Sequence, residues 1–124
     1  MPRQILLYIG SIAITLWGAG HLAPTRSIVR GFGTLAEDNR RIITMEWIAE
    51  GLTLCFIGLL TGILTFSGWS ASPIAVAVYR ACAVMLLVMA GLSLLTGART
   101  SILPMKLCPL VKTVVACLFL VATI

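Results

Sequence analysis

The chain has 124 residues, of which 60% are hydrophobic and 10% charged, and it carries a formal net charge of +5. Its mean hydropathy is +1.08. Soluble domains carry about 25% charged residues, so this composition excludes a water-soluble fold and makes lipid the solvent for most of the surface. The basic residues fall mainly in short segments between apolar runs. That is a topological pattern, so the expected partner is the lipid bilayer and not nucleic acid.

The first apolar run covers about residues 4–23. It is too long for a signal-peptide core, and Gly20-His21-Leu22-Ala23-Pro24 is a poor cleavage site, so the run is expected to stay as a membrane helix that Pro24 ends. In the loop 24–41, Thr25 and Ser27 are candidate caps of a short helix. Ile28, Val29, Phe32 and Leu35 would form its apolar side, with Arg26 and Arg30 towards headgroups, which predicts an interfacial helix. Asp38 or Asn39 is the candidate cap of a second span over about 42–66, with Glu37 and Asp38 favouring its positive end. A stripe of Gly51, Gly58 and Gly62, the last two in GxxxG spacing, predicts close helix approach and places the second span at the centre of the bundle.

The uncharged link Ser67-Gly68-Trp69-Ser70-Ala71-Ser72-Pro73 leads to a third span, about 74–97, with Trp69 at interface depth. Thr96-Gly97-Ala98-Arg99-Thr100-Ser101 closes it, and Pro104 and Pro109 bracket the start of a fourth span, about 107–124. Each run can cross a ~30 Å hydrocarbon core at about 1.5 Å per residue. The runs are continuously apolar and do not alternate, which predicts helices and not barrel strands. The expected fold is all-α: an integral membrane four-helix up-and-down bundle forming a single membrane domain, 1–124.

Charge sets the expected orientation. Arg26, Arg30, Arg40 and Arg41 lie in the first loop, and Arg99 and Lys106 in the third, 98–106, against Arg3 on the opposite side. The positive-inside rule then makes both loops cytoplasmic and puts both termini outside, in a multi-pass protein of the plasma (inner) membrane.

The chain has four acidic residues, and Glu46 and Glu50 fall inside the second span. A carboxylate deep in a bilayer costs about 2.5–3.5 kcal/mol on insertion scales, so it needs a partner, a proton or water. Glu46 lies about one turn, and Glu50 about two turns, inside the cytoplasmic end. His21 near the end of the first span and Lys112 about one turn into the fourth share that depth band. Glu46 and Glu50 project from one helix face, which Thr53, Ile57 and Thr61 continue. Two readings compete: structural ion pairs and snorkelling groups, or a ligand-, ion- or proton-binding site built from Glu50, Glu46, His21 and Lys112. Arg80, beside Tyr79 in the other half of the membrane, is a candidate secondary polar site or a snorkelling group.

His21 is the sole histidine, and with two carboxylates it does not complete a convincing ligand shell, so no metal and no cofactor is expected. Cys55, Cys82, Cys108 and Cys117 form no CxxC pair and read as small hydrophobes. Trp17, Trp47 and Tyr8 read as belt or packing residues, and Met85 and Met89 as packing. No phosphate-binding loop, dinucleotide motif or Ser-His-Asp arrangement occurs, so a non-enzyme is favoured over an enzyme.

Two segments, Glu37 through Gly51 and Leu95-Thr96-Gly97 through Pro104-Met105-Lys106-Leu107-Cys108-Pro109, resemble small bacterial four-helix membrane proteins that are DoxX-like in size and layout. The resemblance covers about a quarter of the chain. It implies the four-helix membrane fold and brings no assigned activity. Small multidrug-resistance transporters carry a key glutamate in the first span, where this chain has no acid. The early Gly-rich, Arg-containing motif of fluoride channels and the Glu/Arg/Asn pattern of membrane glutathione transferases do not occur either. The expected function is a small membrane protein whose polar inner-half site binds a small ligand or ion, or docks a partner in a membrane complex or a homo-oligomer. The alternatives are a proton-coupled small-molecule or ion transporter working as an oligomer, and a membrane enzyme acting on a lipid or quinone-like substrate.

Overall fold

The structure is a computed structural model that describes residues 2–124. It is all-α, with α1 (Pro2–Leu22), α2 (Thr25–Gly31), α3 (Glu37–Phe66), α4 (Pro73–Leu95) and α5 (Leu103–Ala122), and a 3-10 turn at Gly97–Arg99. The helices α1, α3, α4 and α5 are each long and apolar enough to cross a membrane. Each of these four helices overlaps one of the four apolar runs. α2 and the 3-10 turn lie at one end of the bundle, beside Arg26, Arg30, Arg99 and Lys106, which is termed the basic end below.

Helix ends follow local chemistry, with departures from expectation at α2, α3 and α5, the last of which opens at Leu103 and so carries Pro109 inside the helix. Ser72 caps α4 by accepting a hydrogen bond from the Ala75 backbone N–H at 3.1 Å, and Pro73 opens the helix where no N–H is needed. α3 starts earlier than the hydropathy suggests. Its N-cap is Ala36, so neither Asp38 nor Asn39 caps it. The additional turn is held by Glu37, which accepts from Arg40 at 2.9 Å and Arg41 at 3.0 Å. At α2 the N-cap is Pro24, and Thr25 Oγ1 donates back to the Leu22 carbonyl at 2.6 Å, so neither Thr25 nor Ser27 acts as cap. Val29 is the buried residue of α2, with Ile28 and Leu35 half-buried and Phe32 exposed.

α1 packs along α3 on one side and along α5 on another, while α4 packs along α5. The consecutive helices α3 and α4 touch only sparsely. The spans with two extended neighbours are therefore α1 and α5, and α3 is not central, because its glycine stripe is used on α1. A Cβ at Gly18 of α1 would fall 2.9 Å from the Gly51 carbonyl oxygen, and one at Gly58 would fall 2.7 Å from the Ser11 carbonyl oxygen. Gly62 is looser, at 3.6 Å from the Ser11 Cβ.

Lipid tails are as apolar as leucine, so close packing and interhelical hydrogen bonds hold such a bundle together. Ser11 and Thr61 join α1 to α3 at 2.8 Å, and Thr65 and Tyr79 join α3 to α4 at 2.9 Å. Ile14, Leu54, Leu86, Val115 and Phe119 fill the interior. Ile12, Leu16, Phe56, Ile63, Val88 and Val114 face outward as lipid-compatible surface.

Candidate functional site

All four long helices contribute to one polar cluster near the basic end. Glu50 projects from α3, and Lys112 Nζ of α5 donates to its Oε1. The same ammonium donates to Ser93 Oγ of α4 at 2.7 Å. Cys108 lies one turn before Lys112 and on the same face of α5. Its Sγ is 3.9 Å from Glu50 Oε1, and Ser93 Oγ lies 4.0 Å from that sulfur. On the other side of the carboxylate, His21 Nε2 of α1 stands 3.7 Å from Glu50 Oε2.

Helix-terminal chemistry fixes His21. Its carbonyl belongs to the last turn of α1, where intrahelical partners run out. The Trp47 indole N–H donates to that carbonyl at 2.8 Å, and the two rings stack with centroids 3.9 Å apart at 14°. Trp47 thus joins the start of α3 to the end of α1 and orients the imidazole.

Burial gives the cluster its electrostatic weight. Lys112 is 0% exposed and His21 8%, while the Glu50 side chain keeps 30% exposure. An isolated ammonium at that depth would carry a large desolvation cost, which the carboxylate and the Ser93 hydroxyl offset together. His21 Nε2 is enclosed and has no hydrogen-bond partner among the described residues.

Three of the four candidate residues, Glu50, His21 and Lys112, are therefore brought together, and Glu46 is not. Leu22, the last residue of α1, lies against Gly51. Glu46 falls about 7 Å further towards the basic end, past the end of α1, and is exposed. Nor do Arg80 and Tyr79 form one site. Tyr79 is fully buried and hydrogen-bonded to Thr65, whereas Arg80 is exposed and donates to the Thr123 carbonyl at 2.9 Å.

Ser93, Cys108 and Trp47 are members that sequence reasoning missed as site residues. The available signals were a lone hydroxyl in an apolar span and the four-residue spacing of Cys108 and Lys112. All four cysteines are free thiols. Among the described residues, no group of three or more His, Cys, Asp or Glu side chains is placed to hold a metal ion.

Beside the cluster lies a cavity of about 600 Å³ between α1 and the start of α5, roofed by α2. The two helices meet tightly near mid-span, where a Cβ at Gly10 would fall 2.6 Å from the Phe119 ring. They leave open space from Ala13 to Pro24 on one side and from Ile102 to Cys108 on the other. Trp17, Trp47 and Leu103 line the wall, and so do His21 and Cys108. Glu50 and Lys112 are not on that wall, so the ion pair sits behind it.

The fold and this cluster define a multi-pass α-helical membrane protein. No protein-family model, curated protein or solved structure matches the chain.

Proposed function

We propose that this protein is an intramembrane binding protein. A small molecule enters the cavity between α1 and α5, and its polar end meets His21 and Cys108. The Glu50–Lys112 pair behind them holds the imidazole and thiol in place. The observation that carries this reading is the juxtaposition of an open, mostly apolar cavity with the buried polar cluster behind its wall, His21 and Cys108 belonging to both. A cluster that served only to hold helices together would be expected to have filled space beside it.

The basic-residue asymmetry supports a location in a bacterial inner membrane with α2 and the 3-10 turn at the cytoplasmic face. The site then lies in the inner half of the bilayer, within the DoxX-like layout that the two sequence segments suggest. A second reading, proton-coupled transport by an oligomer, is favoured by one feature. Glu50 is partly exposed yet stands beside an imidazole, so a proton could reach the cluster.

Purification in mild detergent, followed by mass spectrometry of retained small molecules, tests the binding reading. The wild type should retain a species that Glu50→Gln loses while its helix content is unchanged. Equal retention by both proteins, or no retained species in either, overturns it. Substrate-driven proton flux in liposomes would move the conclusion to transport.

A further inference from the structure

Resting on the binding reading above, we infer that the cavity seats one acyl chain of an anionic membrane lipid, whose headgroup phosphate is held by Arg26, Arg30 and Lys106 at the basic end. The way in is lateral. Leu16 of α1 is 66% exposed and Leu103 of α5 64%, yet both line the cavity, so its open side faces the lipid-compatible surface of the bundle. From Ala13 to Pro24 the space runs about 16 Å along α1, with Ala13, Leu16, Trp17 and Leu107 as its deeper wall. That slot follows the direction of a lipid chain. The chain alone brings no selectivity, because a tail that enters leaves one apolar surrounding for another of the same kind. Preference must come from the head.

Charge at the mouth selects that head. The cavity ends under Pro24 and Ile28 of α2 and beside Pro104 and Met105 of α5. Arg26 lies between the two α2 residues in sequence, Arg30 two residues past Ile28, and Lys106 directly after Met105. All three are exposed, and among the described residues none has an ion-pair partner. Glu37 is taken by Arg40 and Arg41, and Glu50 by Lys112. The remaining acids, Asp38 and Glu46, stand on α3, and neither lines the cavity. Long basic side chains keep their stems on apolar surface and carry the charge into the headgroup layer. An anionic head placed there meets three uncompensated cations, each worth up to about fivefold in affinity. A zwitterionic head brings its own cation and loses most of that gain. With the phosphate at this level, the glycerol esters fall about one turn deeper, level with His21 and Cys108.

Gly20 separates a seated chain from general surface attraction. It lines the cavity, and a Cβ added there meets no atom within 4 Å. Gly20→Phe therefore fills the space without pressing on the fold, and it leaves every charge in place.

The test uses the full chain, delipidated in neutral detergent and carrying Trp69→Phe so that only the two cavity indoles, Trp17 and Trp47, report. Phosphatidylglycerol and phosphatidylcholine with the same brominated chains are titrated as quenchers. Phosphatidylglycerol should quench saturably, at a concentration about tenfold below that of phosphatidylcholine. Gly20→Phe should abolish the saturable phase. The triple variant Arg26→Gln, Arg30→Gln, Lys106→Gln should lose the preference with its helix content unchanged. Added salt should narrow the same gap without any mutation, by screening. Glycerol phosphate, a head without a tail, should not displace the lipid at equal concentration.

If phosphatidylcholine saturates at an equal or lower concentration, or if both the triple variant and added salt leave the preference intact, the anionic-head inference fails while the binding reading stands. Displacement by glycerol phosphate would make this a free-anion site, with the same consequence. If neither lipid saturates, the lipid inference falls, and the species retained by the wild type decides the binding reading separately. If Gly20→Phe leaves saturation intact, the cavity is not a binding site and both fail.

Discussion

The Lys112 side chain is enclosed at 1% exposure, whereas its partner Glu50 keeps 30%. The two ends of one ion pair should therefore respond differently to mutation. Glu50→Leu strands an ammonium in the interior, and removing one partner of a buried pair costs about 3–5 kcal/mol. Lys112→Met leaves a carboxylate that water can still reach, so it should cost only about 1–2 kcal/mol. The double variant should be more stable than Glu50→Leu alone, because nothing charged is left unpaired. Unfolding titrations in mixed micelles would measure all three. Equal losses for the two single variants would mean that the pair is solvated at both ends.

At the scale of the helix, the α1–α3 contact rests on backbone approach. An added methyl at Gly58 falls 2.7 Å from the Ser11 carbonyl oxygen and 2.9 Å from the Thr15 nitrogen. Backbone cannot swing aside as a rotamer can, so Gly58→Ala should separate the helices at a cost of about 1–3 kcal/mol. Gly62→Ala meets only ordinary contact at 3.6 Å. It should be neutral, or stabilising by up to about 1 kcal/mol through helix propensity. Thermal unfolding of both variants in one detergent gives the comparison, and a similar loss at both positions would contradict the packing described. Gly58→Ala should also weaken the Ser11–Thr61 hydrogen bond one turn away.

At the scale of the molecule, the proposed orientation follows from six basic residues in the first and third loops against Arg3 on the other side. A cysteine introduced at Thr34 in a cysteine-free background should resist membrane-impermeant maleimide until the cells are permeabilised. One introduced at Ser70 should label in intact cells. The reverse pattern would place the Glu50 cluster in the outer half of the bilayer and its cavity mouth outside the cell. The outward-facing Ile12, Phe56, Ile63 and Val88 make lipid the natural neighbour of this bundle in either orientation.

Hydropathy alone determined the all-α membrane class and the four spans, because the bilayer forces every backbone polar group into internal hydrogen bonds and fixes the length needed to cross it. Depth was legible for the same reason. A constant helical rise places Glu50, His21 and Lys112 in one band wherever the helices stand, so their meeting could be anticipated. That reasoning also enrolled Glu46, and only the tertiary structure excluded it, since where α1 stops against Gly51 is a packing outcome. Packing likewise put α1 and α5, and not α3, between two extended neighbours, and Gly18 of α1 faces Gly51 across one of these contacts, where sequence shows only one side of the pair. Ser93 and Cys108 left almost no trace in the sequence. A hydroxyl or thiol in an apolar helix ordinarily bonds its own backbone or packs as a small hydrophobe. They became part of a polar cluster only when α4 and α5 closed around Lys112, whose buried ammonium has three protons to place and one carboxylate in reach.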